Sequence, residues 1–283
     1  MAATHFRSMI TGVLVSAMLA TGLIVCGTAV GVPAASNEPS EATWNSIKDD
    51  IFKGRAIADG AGLLTLEAPK RAEDAALVPI TVHLTLAPGD ARSLRALTLV
   101  VDENPAPLAG TFTIGPKAGV TSISTRLRVD TYTYVHAIAL LSDDRLYAVK
   151  SFVKASGGCS APAMKSPDEA RANMGELKFR RFPPASGAPA AAMPEAQVML
   201  RHPNNTGMQM DQLTRLYIPP LFVEHLKVWQ GDELVLDLDG GISISENPSI
   251  RFSYVPNGAS VFRAVAVDTD KHVFKAEWDL GKV

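Results

Sequence analysis

The stretch Thr133–Lys154, TYVHAIALLSDDRLYAVKSFVK, decides the fold. Thr133–Leu141 and Arg145–Val153 are rich in Tyr, Val, Ile and Ala and flank the turn residues Ser142-Asp143-Asp144. β-branched and aromatic residues suit a pleated, half-buried surface, so this spacing predicts a β-hairpin. Working back along the chain, Leu63–Glu67, Val78–Leu86, Leu94–Val101, Leu108–Ile114 and Thr121–Val129 are also short, and most alternate apolar with polar. Ala87-Pro88-Gly89-Asp90 and Asn104-Pro105-Ala106-Pro107 punctuate them. About seven such strands read as an antiparallel sandwich of immunoglobulin type. Paired cysteines are absent, so the label covers architecture only. Ahead of the strands, Trp44, Ile47, Ile51 and Phe52 recur at helical spacing and predict a short amphipathic helix, with Gly54 and Gly60 marking loops.

The hairpin runs directly into Lys154-Ala155-Ser156-Gly157-Gly158-Cys159-Ser160-Ala161-Pro162. Two glycines before the sulfur give the backbone its greatest freedom there, and Pro162 and Pro167 exclude regular structure beyond it. Strand-like segments then resume: Gly175–Phe182, Ala196–Arg201, Phe222–Trp229, Glu233–Leu238, Ile242–Ser245, Ser249–Val255, Val261–Val267 and Val273–Trp278. The Pro/Ala-rich stretch Pro183–Pro194 is read as an unstructured loop. Two echoes suggest an internal duplication. Asp102-Glu103-Asn104-Pro105 is matched by Ser245-Glu246-Asn247-Pro248, and the opening hairpin by Ala264–Asp268, Thr269-Asp270 and Lys271–Lys275. The fold class that follows is all-β: two immunoglobulin-like antiparallel sandwiches, joined by a flexible cysteine-bearing tether, behind a short N-terminal helix.

With 47% hydrophobic and 20% charged residues, the 283-residue chain has ample material for buried cores. A net charge of −2 excludes the basic footprint of a nucleic-acid binder. The N-terminus reads as a targeting segment. Arg7 is its one charge before the apolar run Met9–Val32, and Val32-Pro33-Ala34-Ala35 supplies a small-residue cleavage pattern, placed after Ala34. The alternative is an uncleaved membrane anchor, since the run is long enough to span. Val25 before Cys26 is too bulky for a lipid-attachment signal, so Cys26 is expected to leave with the leader.

Export sharpens the meaning of the second cysteine. A lone thiol in an oxidising compartment is free and reactive, joined to another molecule, or buried and inert. Gly-Gly before Cys159 and Ser-Ala-Pro after it make a poor core strand, so the mobile, reactive reading is preferred. Cys159 stands five residues beyond Lys154, giving the sulfur a reach of at most about 17 Å from the strand end. Lys154 and Lys165 flank it as cations that would favour the thiolate if folded toward it. A catalytic nucleophile would need a base held beside it, and His83, His136, His202, His225 and His272 are not tied to the cysteine by spacing. Metal binding is equally unsupported. Asp237-Leu238-Asp239-Gly240-Gly241 is a fragment of a calcium loop, better read as a turn. His202 before Pro203 reads as a loop-structuring residue or part of an interface, with the structural role preferred. Met208 and Met210, with Leu213 and Leu216, are expected to pack rather than bind a cofactor. Asn204-Asn205-Thr206 matches a glycosylation sequon.

A family resemblance rests on several of these residues. Val101–Pro107, Arg128-Val129-Asp130 and Lys154–Cys159 make the first half resemble SoxY. Arg201-His202-Pro203, Thr206-Gly207-Met208, Tyr217-Ile218-Pro219 with Phe222-Val223, and Ser243–Pro248 make the second resemble SoxZ. The fused arrangement is similar to the quinoprotein dehydrogenase-associated SoxYZ-like carriers. The resemblance implies a SoxY-like sandwich over 44–154, a carrier arm over 155–174 and a SoxZ-like sandwich over 175–283, behind a signal peptide at 1–34. It further implies covalent attachment of a sulfur intermediate at Cys159, with Gly157 and Gly158 as the flexible part of the arm. The protein would then be a non-catalytic periplasmic carrier without a cofactor. Its partners would be periplasmic enzymes acting on the cargo and a PQQ-dependent alcohol or aldehyde dehydrogenase, with no nucleic acid and no membrane once the leader is cleaved. Two departures stand out. The family's arm ends its chain in Gly-Gly-Cys-Gly-Gly, whereas Ser160-Ala161-Pro162 and a whole second domain follow here, and the cargo need not be thiosulfate. The competing reading is a non-covalent adaptor in which the thiol is incidental.

Overall fold

The periodicity of two in the sequence becomes strands along most of the chain. The computed structural model describes residues 40–162, 172–184 and 193–281; the expected leader over 1–34 and most of the Pro/Ala-rich loop lie outside the described residues. Helix α1 (Ala42–Phe52) comes first and buries Trp44 and Phe52. It stops where Lys53 turns left-handed at φ 57° and the N–H of Gly54 returns to the Asp49 carbonyl at 3.0 Å. The first half then carries β1 (Ile57–Asp59), β2 (Leu64–Glu67), β3 (Val78–Leu84), β4 (Leu94–Val101), β5 (Leu108–Ile114), β6 (Ser122–Leu127), β7 (Thr133–Leu141) and β8 (Leu146–Val153). The second half carries β9 (Leu177–Phe182), β10 (Glu195–Leu200), β11 (Val223–Gln230), β12 (Glu233–Gly240), β13 (Ser249–Ser253), β14 (Val261–Asp268) and β15 (Val273–Asp279).

Three local expectations need correction. β1 went unforeseen because three residues are too few to show a period; it is held by parallel pairing with β8, Ile57 opposite Leu146. Ile242–Ser245 forms no strand, only a single bridge from Ile244 to Leu127. Asp237–Gly240 is not a turn but the end of β12. Its aspartates alternate to the outer face, where Lys227 meets Asp237 at 2.9 Å and His225 meets Asp239 at 2.7 Å across the strand pair.

The strands form two sheets, ordered β1-β8-β7-β4-β5-β12-β11-β14-β15 and β2-β3-β6-β13-β10-β9. Outward from the centre, β5, β4, β7 and β8 are answered by β12, β11, β14 and β15, and β6, β3 and β2 by β13, β10 and β9. From β2 onward the second half therefore repeats the first strand for strand. The hairpin echo falls at equivalent places, β7–β8 and β14–β15. The four-residue echo does not, since Asp102–Pro105 joins β4 to β5 while Ser245–Pro248 leads from β12 into β13.

The halves are not merely tethered. β5 pairs antiparallel with β12 from Gly110 opposite Gly240 to Ile114 opposite Leu236. In the other sheet Ile123 and Ser124 of β6 pair with Phe252 and Arg251 of β13. Edges that would otherwise invite foreign strands cover each other. Phe112, Ile114 and Leu127 from one half and Leu236, Ile250 and Phe252 from the other lie in one continuous buried cluster. Each such side chain contributes roughly 1.5–3 kcal/mol on burial. Outside this core, α1 lies on the long sheet over Val100, Ile138 and Leu146, with Trp44 stacked on His136 at 4.0 Å. Among the described residues no helix is long and apolar enough to cross a membrane.

The seam tolerates no bulk at two glycines. A Cβ on Gly115 would lie 1.7 Å from the Leu234 carbonyl oxygen, and one on Gly110 would lie 2.9 Å from that of Asp239. Gly115→Ala is expected to lower unfolding free energy in a urea titration by about 3 kcal/mol or more. Gly62→Ala, at a positive φ with open space around it, should cost only about 1–2 kcal/mol.

Candidate functional site

Cys159 is a free cysteine, and its side chain is fully enclosed at 0% exposure. This overturns the expectation of a loose, solvent-reachable tether over the described residues of the arm. The Lys154 carbonyl accepts from Ala72, and the Lys154 N–H donates to Lys70 at 3.0 Å. Gly157 N–H donates to the Asp130 carbonyl at 2.7 Å, Gly158 N–H to that of Val129 at 3.0 Å, and Cys159 N–H to Asp130 Oδ1 at 3.2 Å. The glycines are present for geometry. Gly157 sits at φ 78°, and a Cβ on Gly158 would lie 2.1 Å from the Ala75 carbonyl oxygen and 2.6 Å from that of Val129. A residue without Cβ permits both the left-handed turn and the close approach, and here that permission tightens the segment.

Both halves build the enclosure. From the first come Ala75, and Arg128 and Asp130 just past β6; from the second comes the loop after β10. Thr206 Oγ1 donates to the Cys159 carbonyl at 2.6 Å, and Gln209 Nε2 to that of Ala161 at 3.3 Å. Arg128, with 1% of its surface exposed, donates through Nη1 to the Gly158 carbonyl at 3.2 Å and reaches the Asn204 carbonyl at 3.4 Å. Its Nε is buried without a hydrogen-bond partner. Asn104 ties the junction together, donating to the Arg128 carbonyl at 2.7 Å and to Ser243 Oγ at 2.9 Å while accepting from Asp130 N–H at 2.8 Å.

Electrostatics keep the thiol protonated while it is enclosed. Burial, then the neighbouring Asp130 carboxylate, push the Cys159 thiol up to about 12, against a smaller opposing pull from Arg128. Burial in turn pushes the Arg128 guanidinium down, with Glu246, the thiol and Asp74 opposing. The cation beside the sulfur is thus Arg128. Lys154 is exposed, and Lys165 lies outside the described residues. At rest the site holds a neutral, unreactive sulfur, because the thiolate is the nucleophile.

The remaining sequence candidates divide clearly. His202 is structural and fully buried. Its Nδ1 lies 3.1 Å from Asn204 N and 3.0 Å from Asn204 Oδ1, its Nε2 faces Asp268 Oδ2 at 3.4 Å, and burial lowers its pKa. Asn204 spends its amide on the Ile244 carbonyl and on Val223 N–H and is buried, so the sequon presents no open acceptor. His83, His136, His225 and His272 pair with Glu67, Asp102, Asp239 and Asp268. None of these contacts is to Cys159. Among the described residues no group of three His, Cys, Asp or Glu side chains is placed to hold a metal. Leu213 and Leu216 do not pack as expected but stand in solvent. Asp130, Thr206 and Gln209 were missed as site residues because their roles depend on backbone N–H and carbonyl groups far away in sequence.

Two immunoglobulin-like sandwich units meet at a joint that encloses one free thiol. Residues 48–159 match the family model for the sulfur oxidation protein SoxY, ending on Cys159, and residues 182–279 match that for the sulphur oxidation protein SoxZ. The chain therefore joins a SoxY domain and a SoxZ domain in one polypeptide. SoxY and SoxZ are non-catalytic carrier and adaptor proteins of sulfur oxidation, and such carriers interact with partner enzymes. No curated protein matches the chain. Among solved structures, the sulfur carrier protein SoxY from Chlorobium limicola f thiosulfatophilum is 21% identical, with a TM-score of 0.33, covering 39% of this chain and 89% of that one. A superoxide reductase (neelaredoxin) from Ignicoccus hospitalis is 17% identical, with a TM-score of 0.29 and coverage of 39% and 89%. At these scores neither carries weight for function.

Two outcomes are expected from the enclosure. At pH 8 iodoacetamide should label Cys159 on the order of 100-fold more slowly in the native chain than in urea, as local opening costing about 3 kcal/mol would give. Gly158→Ala should abolish most of that protection. Because the thiol is raised from an ordinary value near 9, the enclosed form is fully stabilised below pH 9 and loses stability as pH rises toward about 12. Thermal melts between pH 9 and 11 should therefore fall more steeply for the native chain than for Cys159→Ala.

Proposed function

We propose that this protein is a periplasmic sulfur carrier whose Cys159 thiol holds a sulfur-containing intermediate covalently. Its resting state stows the thiol in the joint between the SoxY and SoxZ domains. The observation that carries the reading is that the SoxY match ends on a free cysteine lying where the two domains meet. Loading requires the segment to leave its enclosure, whereupon the thiol recovers an ordinary acidity and forms the nucleophilic thiolate. Joining that sulfur to a second sulfur in a disulfide-type bond removes two electrons, which the loading enzyme must pass to its own acceptor. In this reading the chain supplies the handle and partner enzymes supply the redox chemistry. A PQQ-dependent dehydrogenase is proposed as one partner, on the resemblance of the fused arrangement, and residues 1–34 as the leader that exports the chain, on Arg7, the apolar run Met9–Val32 and the small-residue pattern that follows it.

The enclosure itself favours a second reading. A thiol held near pKa 12 and out of solvent is also what an adaptor with an incidental cysteine would show. Here the paired sandwiches would bind a partner non-covalently.

Intact-mass analysis with peptide mapping, under non-reducing isolation from cells metabolising substrate, is expected to find an adduct on Cys159. Cys159→Ser should abolish the partner pathway in vivo. Full pathway activity with Cys159→Ser, together with exclusively free thiol in the native protein, would overturn the carrier in favour of the adaptor.

A further inference from the structure

The chain between β10 and β11 forms a hairpin of its own beside the thiol. Asn205 and Leu221 exchange backbone bonds at 2.8 and 3.1 Å, and Ile218 N–H donates to the Gln209 carbonyl at 2.8 Å. At the tip, Asp211 accepts from Leu213 N–H at 3.0 Å, Thr214 N–H at 2.7 Å and Thr214 Oγ1 at 3.0 Å, while its own N–H donates to the Leu216 carbonyl at 2.9 Å. An aspartate spent in this way makes a stiff tip, with Arg215 left-handed at φ 62°. That tip places Leu213, Leu216 and Tyr217 in solvent at 93%, 69% and 67% exposure, beside the exposed Arg215. The base of the same hairpin holds the thiol segment, through Thr206 to the Cys159 carbonyl and the buried Gln209 to that of Ala161.

We propose that the hairpin over 205–221 is the docking element for the enzyme that works on Cys159, and that seating its tip releases the Thr206 and Gln209 latches. The proposal rests on the carrier reading above. The occupant is a protein surface with an apolar recess for Leu213, Leu216 and Tyr217 and a carboxylate facing Arg215. Tyr217 and Arg215 are residue types enriched at interface centres, and Leu213 and Leu216 add exposed apolar area on the same rigid tip. A second copy is the competing occupant, and it would leave unexplained why the base of this hairpin is bonded to the thiol segment. Four side chains make a patch well below the size of a lasting interface, which suits a carrier that must leave each enzyme in turn. The base of the hairpin is bonded to the segment that carries the sulfur, so a surface that grips the tip pulls on an element that holds the thiol in place.

The test compares the full chain with Leu213→Ser/Leu216→Ser, both in source cells metabolising substrate and as purified protein. Adduct occupancy at Cys159, read by intact mass, is expected to fall at least 10-fold in the variant. Its purified iodoacetamide labelling rate should stay within about 2-fold of the native rate. A second variant, Thr206→Val/Gln209→Met, should label at least 10-fold faster than the native chain with its far-UV spectrum unchanged. Equal occupancy in the tip variant, or unchanged labelling in the latch variant, overturns the proposal while leaving the carrier reading intact. A native dimer that the tip variant dissociates in sedimentation overturns it in favour of a second copy. Absence of any adduct on the native chain removes the carrier reading, and the docking proposal with it.

Discussion

Backbone pairing across the middle of both sheets is the constraint on which the rest depends. β5 against β12 and β6 against β13 convert two sandwiches into one continuous pair of sheets over a shared core. Such pairing needs bare backbone at the crossing points, and Gly110 and Gly115 supply it where a Cβ would strike a carbonyl of the opposite strand. Once the central strands are registered, the loops at the end of the seam have little freedom. The turn past β6, the segment after β8 and the loop after β10 converge there, and the thiol lies among them.

That convergence explains the chemical character of the site. Gly157 and Gly158 look like a hinge in isolation, yet in the fold they admit a left-handed turn and a backbone contact that close the segment down. The same absence of Cβ serves flexibility in one context and tight packing in the other. The enclosed sulfur is neutral, flanked by a buried Arg128 with an unpaired Nε and by Asp130, whose charge opposes ionisation. A cation and an anion bracketing one thiol leave its reactivity set by solvent access more than by charge. A carrier gains protection for its handle in this way, at the cost of needing a partner to open it.

Much of the β architecture was legible from alternation and punctuation. Val78–Leu84, Leu94–Val101 and Leu108–Ile114 are strands where the sequence predicts them, and the β7–β8 hairpin recurs as β14–β15. Readings failed where local pattern competes with distant partners. The three residues of β1 carry no period of their own, and Asp237–Gly240 resembles a turn until its aspartates find Lys227 and His225 across the strand. Leu213 and Leu216 have core-like spacing next to two methionines, but the stiff Asp211 turn carries them away from any core. Of the site, Cys159 and its glycines were visible as residue types, whereas their burial was not.

The sequence by itself determined the β class, the duplicated plan and the identity of the one cysteine among the described residues, because these follow from side-chain period, turn chemistry and residue identity. The tertiary structure alone decided that the halves share sheets, that the sulfur is shut away, and that Arg128, Asp130, Thr206 and Gln209 surround its segment. The physical reason is range. Alternation acts between neighbours, while a hydrogen bond from Thr206 to Cys159 spans 47 residues and exists only after both sheets have closed.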